Sequence, residues 1–507
     1  MATRFSSIVS HVATRRGPIA WVGCWHNPIV LAAILLALVL LSGTAGLVGC
    51  RQAAEPNDLK TENTHQPPKI TSESPPASKD ALTGGESRPQ SVDSALLPAL
   101  PAAEDLRQAE MTALRREAAE TAARVAEAFP TSAEALAVRA WMHHRYGQTA
   151  EAVRCWQRCL DLDARYAEAH VRLGQVALKT GDFERARTCF DRACQADPQR
   201  TDARIRLAEA LLHSGEADQA VAVLERSGQA ALATAEGLYF LGRARLLLND
   251  HQKAKDAFSA AIGLDPALTH AYHGLATACA RLGDNAEADR WRAEFDRRKQ
   301  QDQEAEKQKL KAFDDLAALR ASVAMVHCLA AQVYLHQSQT RPAEDHWRRA
   351  ASLDERNADA RLGLVALCQQ EGRAAEAIRP AEELVRIEPR NSVYWLSLGV
   401  LNAQLDRLEA AERAFRKAIE VAPGHAQAHA AMAQFYLRAG RDPLQARRCA
   451  ETAVRLAPTA PNYALLAAAC QSAGELEAAR KAVGEALRLE PDNPQYRRLQ
   501  ESLRHEK

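Results

Sequence analysis

From residue 133 onward the apolar positions follow a pattern that returns every 34 residues. The clearest unit is residues 167–200, AEAHVRLGQVALKTGDFERARTCFDRACQADPQR. With the slots of a unit numbered 1 to 34, ten units begin at residues 133, 167, 201, 235, 269, 324, 358, 392, 426 and 460. Slots 4, 7 and 11 form one apolar stripe at helical spacing, and slots 17, 20, 24 and 27 form another. Slot 15, between them, is Gly in seven units and Asn249, Ser338 or Asp406 in the others, the residue types that close a turn between two helices. Slot 20 is Ala in all ten units, the ninth with a one-residue shift after Gly440, and slot 8 is Gly or Ala in all but one, where Val365 stands. These small residues are expected to face each other where the two helices cross. Pro at slot 32 in six units stops the second helix. One such helix pair cannot bury its own apolar faces, so pairs stack and share a continuous core.

Leu173-Gly174, Ala186, Phe190, Ala193 and Pro198 in the second unit resemble the tetratricopeptide repeat, as do Trp395, Leu398-Gly399, Ala411, Phe415, Ala418 and Pro423 in the eighth. The resemblance implies an all-α fold, a right-handed solenoid of about ten helix–turn–helix repeats. Its expected parts are five repeats over 133–302, a charged helical insertion over 303–323, five more repeats over 324–493, and a capping helix over 494–507 with Tyr496, Leu499 and Leu503 on one face. Residues 101–132 read as a partial repeat, with Ala118, Ala122, Val125 and Pro130 in the places of a second helix. No Gly or Pro occurs between Asp284 and Arg341. A helix from Asn285 to Arg320 would run ~54 Å. It reads either as a solvated extension of the fifth unit or as a hinge or arm packed through Leu310, Phe313, Leu316 and Val323.

The resemblance also implies a concave surface lined by the first helices, through slots 2, 5, 9, 12 and 13. Trp141, Tyr239, Arg243, Leu362, Leu396 and Val400 are the candidate groove residues, with an apolar trough around the last three or, alternatively, these side chains filling a tightly curved inner wall. Acids at slot 2 of the first four units (Glu134, Glu168, Asp202, Glu236) suit the positive end of a helix dipole. Of the positions at which some family members clamp a terminal carboxylate, only Arg206 fits.

The first hundred residues have another character. No Asp or Glu precedes Glu55, and Arg4, Arg15 and Arg16 stand before the apolar run Ile29–Leu41. Its thirteen residues suit the core of a signal peptide. Leu47-Val48-Gly49-Cys50 resembles the lipobox of bacterial lipoproteins, which makes Cys50 the candidate lipidation site. A transmembrane anchor from Ile29 to about Val48 is the alternative, and both put the repeats on the far side of a membrane, as the arginines stay inside. Residues 1–50 are therefore read as signal or anchor. Residues 51–100, proline-rich with no aromatic, read as a disordered linker, since they bury too little to offset ordering entropy.

Composition narrows the function. Lys and Arg number 65 against 64 Asp and Glu, a net charge of +1 that offers no field for a polyanion, so nucleic acid is not an expected partner. No phosphate loop, HExxH, GxSxG or CxxC motif occurs. The pairs His425/His429, His270/His273 and His143/His144 read as ordinary helix polarity, and nine of the eleven Cys fall at repeat slots that read as small core positions. The expected protein is a non-enzymatic scaffold at the bacterial cell envelope, without cofactor or metal, taking protein or peptide segments in its groove. A glycan or cell-wall binding module and a substrate-holding subunit of an envelope enzyme complex are the alternatives.

Overall fold

A computed structural model describes residues 103–226, 229–311 and 314–506, and every regular element among them is a helix. The residues read as signal or anchor and linker lie outside this range, as do Leu310 and Phe313 as packing residues. The helix pairs follow the 34-residue period. In unit two Ala167–Lys179 is followed by Phe183–Ala196, and in unit eight Ser392–Gln404 is followed by Leu408–Val421. All ten slot-15 residues have positive φ, from 54° at Asp406 to 87° at Gly283. Asn249 and Ser338 accept the same left-handed turn at φ 62° and 59°, a conformation that costs a residue with a Cβ roughly 1–2 kcal/mol. The slot-20 alanines are buried in every unit, from Ala152 to Ala479.

The glycines at slot 8 have a further use. They make room for the large side chain at slot 24 of the same unit. A Cβ on Gly174 would lie 2.8 Å from the Phe190 ring, one on Gly242 2.8 Å from Phe258, and one on Gly399 2.6 Å from Phe415. The ring also reaches forward into the next unit: Phe258 meets Gly274 and Trp347 meets Gly363, at slot 6 of units five and seven, where a Cβ would come within 2.4 and 2.3 Å. Slot 24 is thus a wedge between three helices, and its residues Trp156, Phe190, Leu224, Phe258, Trp347 and Phe415 are among the most deeply buried in the chain.

Slot 4 is not simply apolar either. Where it carries a donor, the side chain reaches back six residues to the carbonyl at slot 32 of the preceding linker. His170 Nε2 donates to Ala164 O at 3.0 Å, Tyr272 Oη to Pro266 O at 3.1 Å, Trp395 Nε1 to Pro389 O at 2.8 Å and His429 Nε2 to Pro423 O at 3.0 Å. Arg497, in the equivalent place of the terminal helix, donates to Pro491 O at 3.0 Å. These bonds satisfy linker carbonyls that have no helical partner. Ion pairs add a second inter-repeat ladder between slot 21 and slot 16 of the next unit: Arg187–Glu216 at 2.9 Å, Glu344–Arg373 at 2.8 Å and Arg447–Glu475.

The stack is not one uninterrupted solenoid. The helix Asn285–Lys311 is the long second helix of unit five, and instead of running on to Arg320 the chain starts a new helix, Asp315–His336, with the Asp314 side chain accepting from the Leu316 amide. That helix begins nine residues before slot 1 of unit six, and it packs on the N-terminal helix Ala103–Ala128 and on Ala133–Arg145 of unit one. Leu114, Ala118, Ala122 and Val125 share a core with Val138 and Met142 of unit one and with Leu319, Val323, Val326 and Ala330 of unit six. The N-terminal helix is therefore a shared cap over the first helices of both blocks. Its face toward unit six explains why Asp315–His336 is apolar enough to cross a membrane, yet is 56% buried within the protein over its most apolar window. At the other end Pro494–His505 covers unit ten with Tyr496 and Leu503 buried and Leu499 packed beside them.

Candidate partner-binding surface

First helices of successive units approach each other more closely than second helices do. The stack therefore curves with the first helices on its inner side, which places slots 2, 5, 9, 12 and 13 on the surface a partner would meet.

Much of that surface in block one is occupied by its own ion pairs. Glu168 Oε1 lies 2.7 Å from Arg172 Nε, and Arg200 joins Glu168 to Asp202, with its Nε 2.9 Å from Asp202. Burial alone would raise the Glu168 carboxyl, but Arg172 and Arg200 outweigh it and hold it below the usual range. Arg206 pairs with Glu209 at 2.7 Å and with Glu236 of the next unit at 2.8 Å, and Glu134 accepts from His336 Nδ1 at 2.7 Å. The slot-2 acids thus lash one unit to another as well as meeting a helix dipole, and Arg206 already has its carboxylates.

The six candidate groove residues fall into three groups. Trp141 is half-buried against the core shared by the two blocks, so it serves the junction. Leu362 and Leu396 are each 7% exposed and belong to the core between repeats. The apolar trough expected around them is not open, because neighbouring helices close over both side chains. Val400 is half-buried and borders a shallow notch with Ala431, Gln434, Phe435 and Arg438. Tyr239 and Arg243 do lie together on the inner wall: the Arg243 guanidinium stands 5.9 Å from the Tyr239 ring centre and 5.8 Å from that of Phe240. Both are half-buried. Arg243 has no carboxylate partner among the described residues, in contrast to Arg172, Arg200 and Arg206. Aromatic faces hold its position while its five N–H donors stay available.

Two features escaped sequence reading. The slot-4 donors could have been seen in the recurrence of His170, Arg204, Tyr272, His327, Arg361, Trp395 and His429 at a nominally apolar slot. The junction with its shared cap had no signal in the repeat period. The paired histidines stay apart as ligands: His425 bonds Ser392 and Gln427, and His429 bonds a carbonyl. The nine cysteines among the described residues are all free thiols, five of them buried.

An array of stacked helix pairs with its first helices on the inner curve defines an α-solenoid. Tetratricopeptide repeat family models match residues 145–201, 171–233, 235–268 and 393–425. The chain is a tetratricopeptide-repeat protein, and as such a protein–protein interaction scaffold. No curated protein matches it. Among solved structures it is similar to a thermophilic TPR protein from Thermus thermophilus, with 20% identity over 36% of this chain and 98% of that one at a TM-score of 0.29. It is also similar to MamA from Desulfovibrio magneticus, with 25% identity over 33% and 96% at 0.31, and to yeast Tom70, with 13% identity over 73% and 95% at 0.31.

Proposed function

We propose that this chain is a non-enzymatic scaffold held at the bacterial cell envelope by its first 50 residues, with the repeats on the far side of the membrane collecting protein or peptide segments on their inner wall. The observation that carries the binding part is Arg243, positioned over Tyr239 and Phe240 and without a carboxylate partner among the described residues. Such a group recognises a partner's carboxylate or backbone carbonyls. The tether rests on the uncharged run Ile29–Leu41 and the lipobox-like Leu47-Val48-Gly49-Cys50. Assembly or secretion machinery is the kind of complex this arrangement suits.

One set of variants tests both parts. The full chain is recovered from detergent-solubilised bacterial membranes after growth with a labelled fatty acid. Arg243→Glu is expected to lose its co-purifying proteins at least tenfold with unchanged circular dichroism, and recovery of the same proteins would refute the binding surface. Cys50→Ala is expected to lose the acyl label. A chain that stays in the membrane fraction without label in either form has a transmembrane anchor instead, and a chain absent from membranes in both forms removes the tether altogether.

A further inference from the structure

His327 stands at slot 4 of unit six, where other units send a donor back to a linker carbonyl. Here that carbonyl does not exist as a free acceptor. Six residues back is Ala321, inside the helix Asp315–His336, whose backbone is bonded within the helix. The imidazole is only 4% exposed and takes two other partners. Nε2 lies 3.0 Å from Oε1 of Glu117 on the N-terminal helix, and Nδ1 lies 2.8 Å from Nδ1 of His346 on the second helix of unit six. One placement of protons satisfies both contacts with neutral rings. His327 Nε2–H donates to the carboxylate, and its Nδ1 accepts from His346 Nδ1–H.

The groups around this pair come from every element packed there. From unit six, Arg349 donates to Glu117 through Nε at 2.7 Å and Nη2 at 2.8 Å, and the Tyr334 ring stacks on His346 with centres 5.3 Å apart. From the N-terminal helix, Glu117 supplies the negative charge and Arg124 a further positive one felt by both imidazoles. With both rings neutral the cluster carries two arginines against one carboxylate. One added proton increases a positive excess in a buried seam, and a second sets two N–H groups head to head.

We propose that this seam is a proton-operated clasp, in which protonation of the His327–His346 pair in mildly acid solution loosens the N-terminal helix from unit six. The direction follows from linkage. Burial pushes His346 down to about 4, helped by His327 and Arg124, while an undocked imidazole titrates near its ordinary value of about 6.5. The undocked state therefore binds more protons between those values, so docking is full above about pH 6.5 and weakens as pH falls toward 4. Glu117, held low by its Arg349 hydrogen bonds, acts in the same direction at still lower pH. His336 runs the other way. Its hydrogen bond to Glu134 raises its pKa, so that contact is strongest once His336 is protonated. Acidification thus releases the cap from unit six while Glu134–His336 still joins units one and six directly. The clasp does not depend on what the inner wall binds.

The test is hydrogen exchange of the full chain in detergent at pH 7 and pH 5, with rates corrected for their intrinsic pH dependence. Protection over 103–128 and 315–336 is expected to fall by about twentyfold, the ratio those two pKa values give between pH 7 and pH 5, while 392–456 changes less than twofold. In His346→Asn, whose amide still donates to His327 but takes no proton, the step is expected to shrink below threefold. Should that variant be misfolded by circular dichroism at pH 7, His346→Gln, whose amide likewise donates to His327 and takes no proton, gives the same reading. Unchanged protection in the natural chain, a full pH step in the variant, or a parallel loss over 392–456 would each overturn the clasp.

Discussion

Phe258 gives the sharpest test of how this array is held together. Its ring is fully buried, with Gly242 of its own unit on one side and Gly274 of the next unit on the other. Phe258→Ala removes the ring from a site whose nearest neighbours have no side chains to swing inward, so the cost belongs in the upper part of the usual ~3–5 kcal/mol for such a truncation. Gly274→Ala attacks the same contact from the other side. In the natural chain the new Cβ would sit 2.4 Å from the ring, and overpacking of that kind costs about 1–3 kcal/mol, partly offset by the ~0.5–1 kcal/mol that Ala gains over Gly in a helix. With the ring gone the clash disappears, and the added methyl fills part of the cavity. Gly274→Ala is then stabilising by about 1 kcal/mol, so the two substitutions couple by roughly 2–3 kcal/mol. Repeat arrays can unfold in parts, so the readout is hydrogen exchange over the two helices that bear these residues, His251–Leu264 and Thr269–Arg281, measured alongside urea denaturation. If Gly274→Ala costs as much in the Phe258→Ala background as in the natural chain, the wedge account of slot 24 fails.

Two further outcomes follow from local geometry. Ser338→Gly relieves a left-handed residue at φ 59° and is expected to raise the urea midpoint by up to about 1 kcal/mol of stability, whereas a lowered midpoint would mean that the serine side chain offsets the backbone cost. Burial pushes the Cys159 thiol up to about 12 and raises Cys328 further, so both should alkylate at least tenfold more slowly at pH 8 than half-buried Cys155 or Cys449, as read by mass spectrometry, and equal rates would mean that the helix pairs open.

Slots 15 and 20 were legible because each is a local necessity. A residue that must turn left-handed is Gly, Asn, Asp or Ser whatever surrounds it, and the alanine at the closest helix approach repeats because the approach repeats. Slots 4 and 8 were placed without all of their partners. Glycine at slot 8 announces that something comes close, but only the packing shows that the something is the slot-24 ring. A histidine, tyrosine or tryptophan at slot 4 counts as partly apolar in a periodicity, which hides its polar end. Of the groove residues, Tyr239 and Arg243 meet on the inner wall, while Leu362 and Leu396 lie in the core, since slot number fixes a face but not how tightly neighbouring helices close over it.

The sequence by itself determined the helix pairs, their turns, the period of the stack and the family, because these depend on contacts within about 34 residues that recur ten times. Only the tertiary structure decided that units one and six meet beneath one N-terminal helix. That contact joins residues about 210 apart, Glu117 with His327 and Glu110 with Arg320, and it occurs once. A repeat period carries no information about a contact that does not repeat. Apolar surface left at the open starts of two blocks has to be covered, and the Ala103–Ala128 helix covers both.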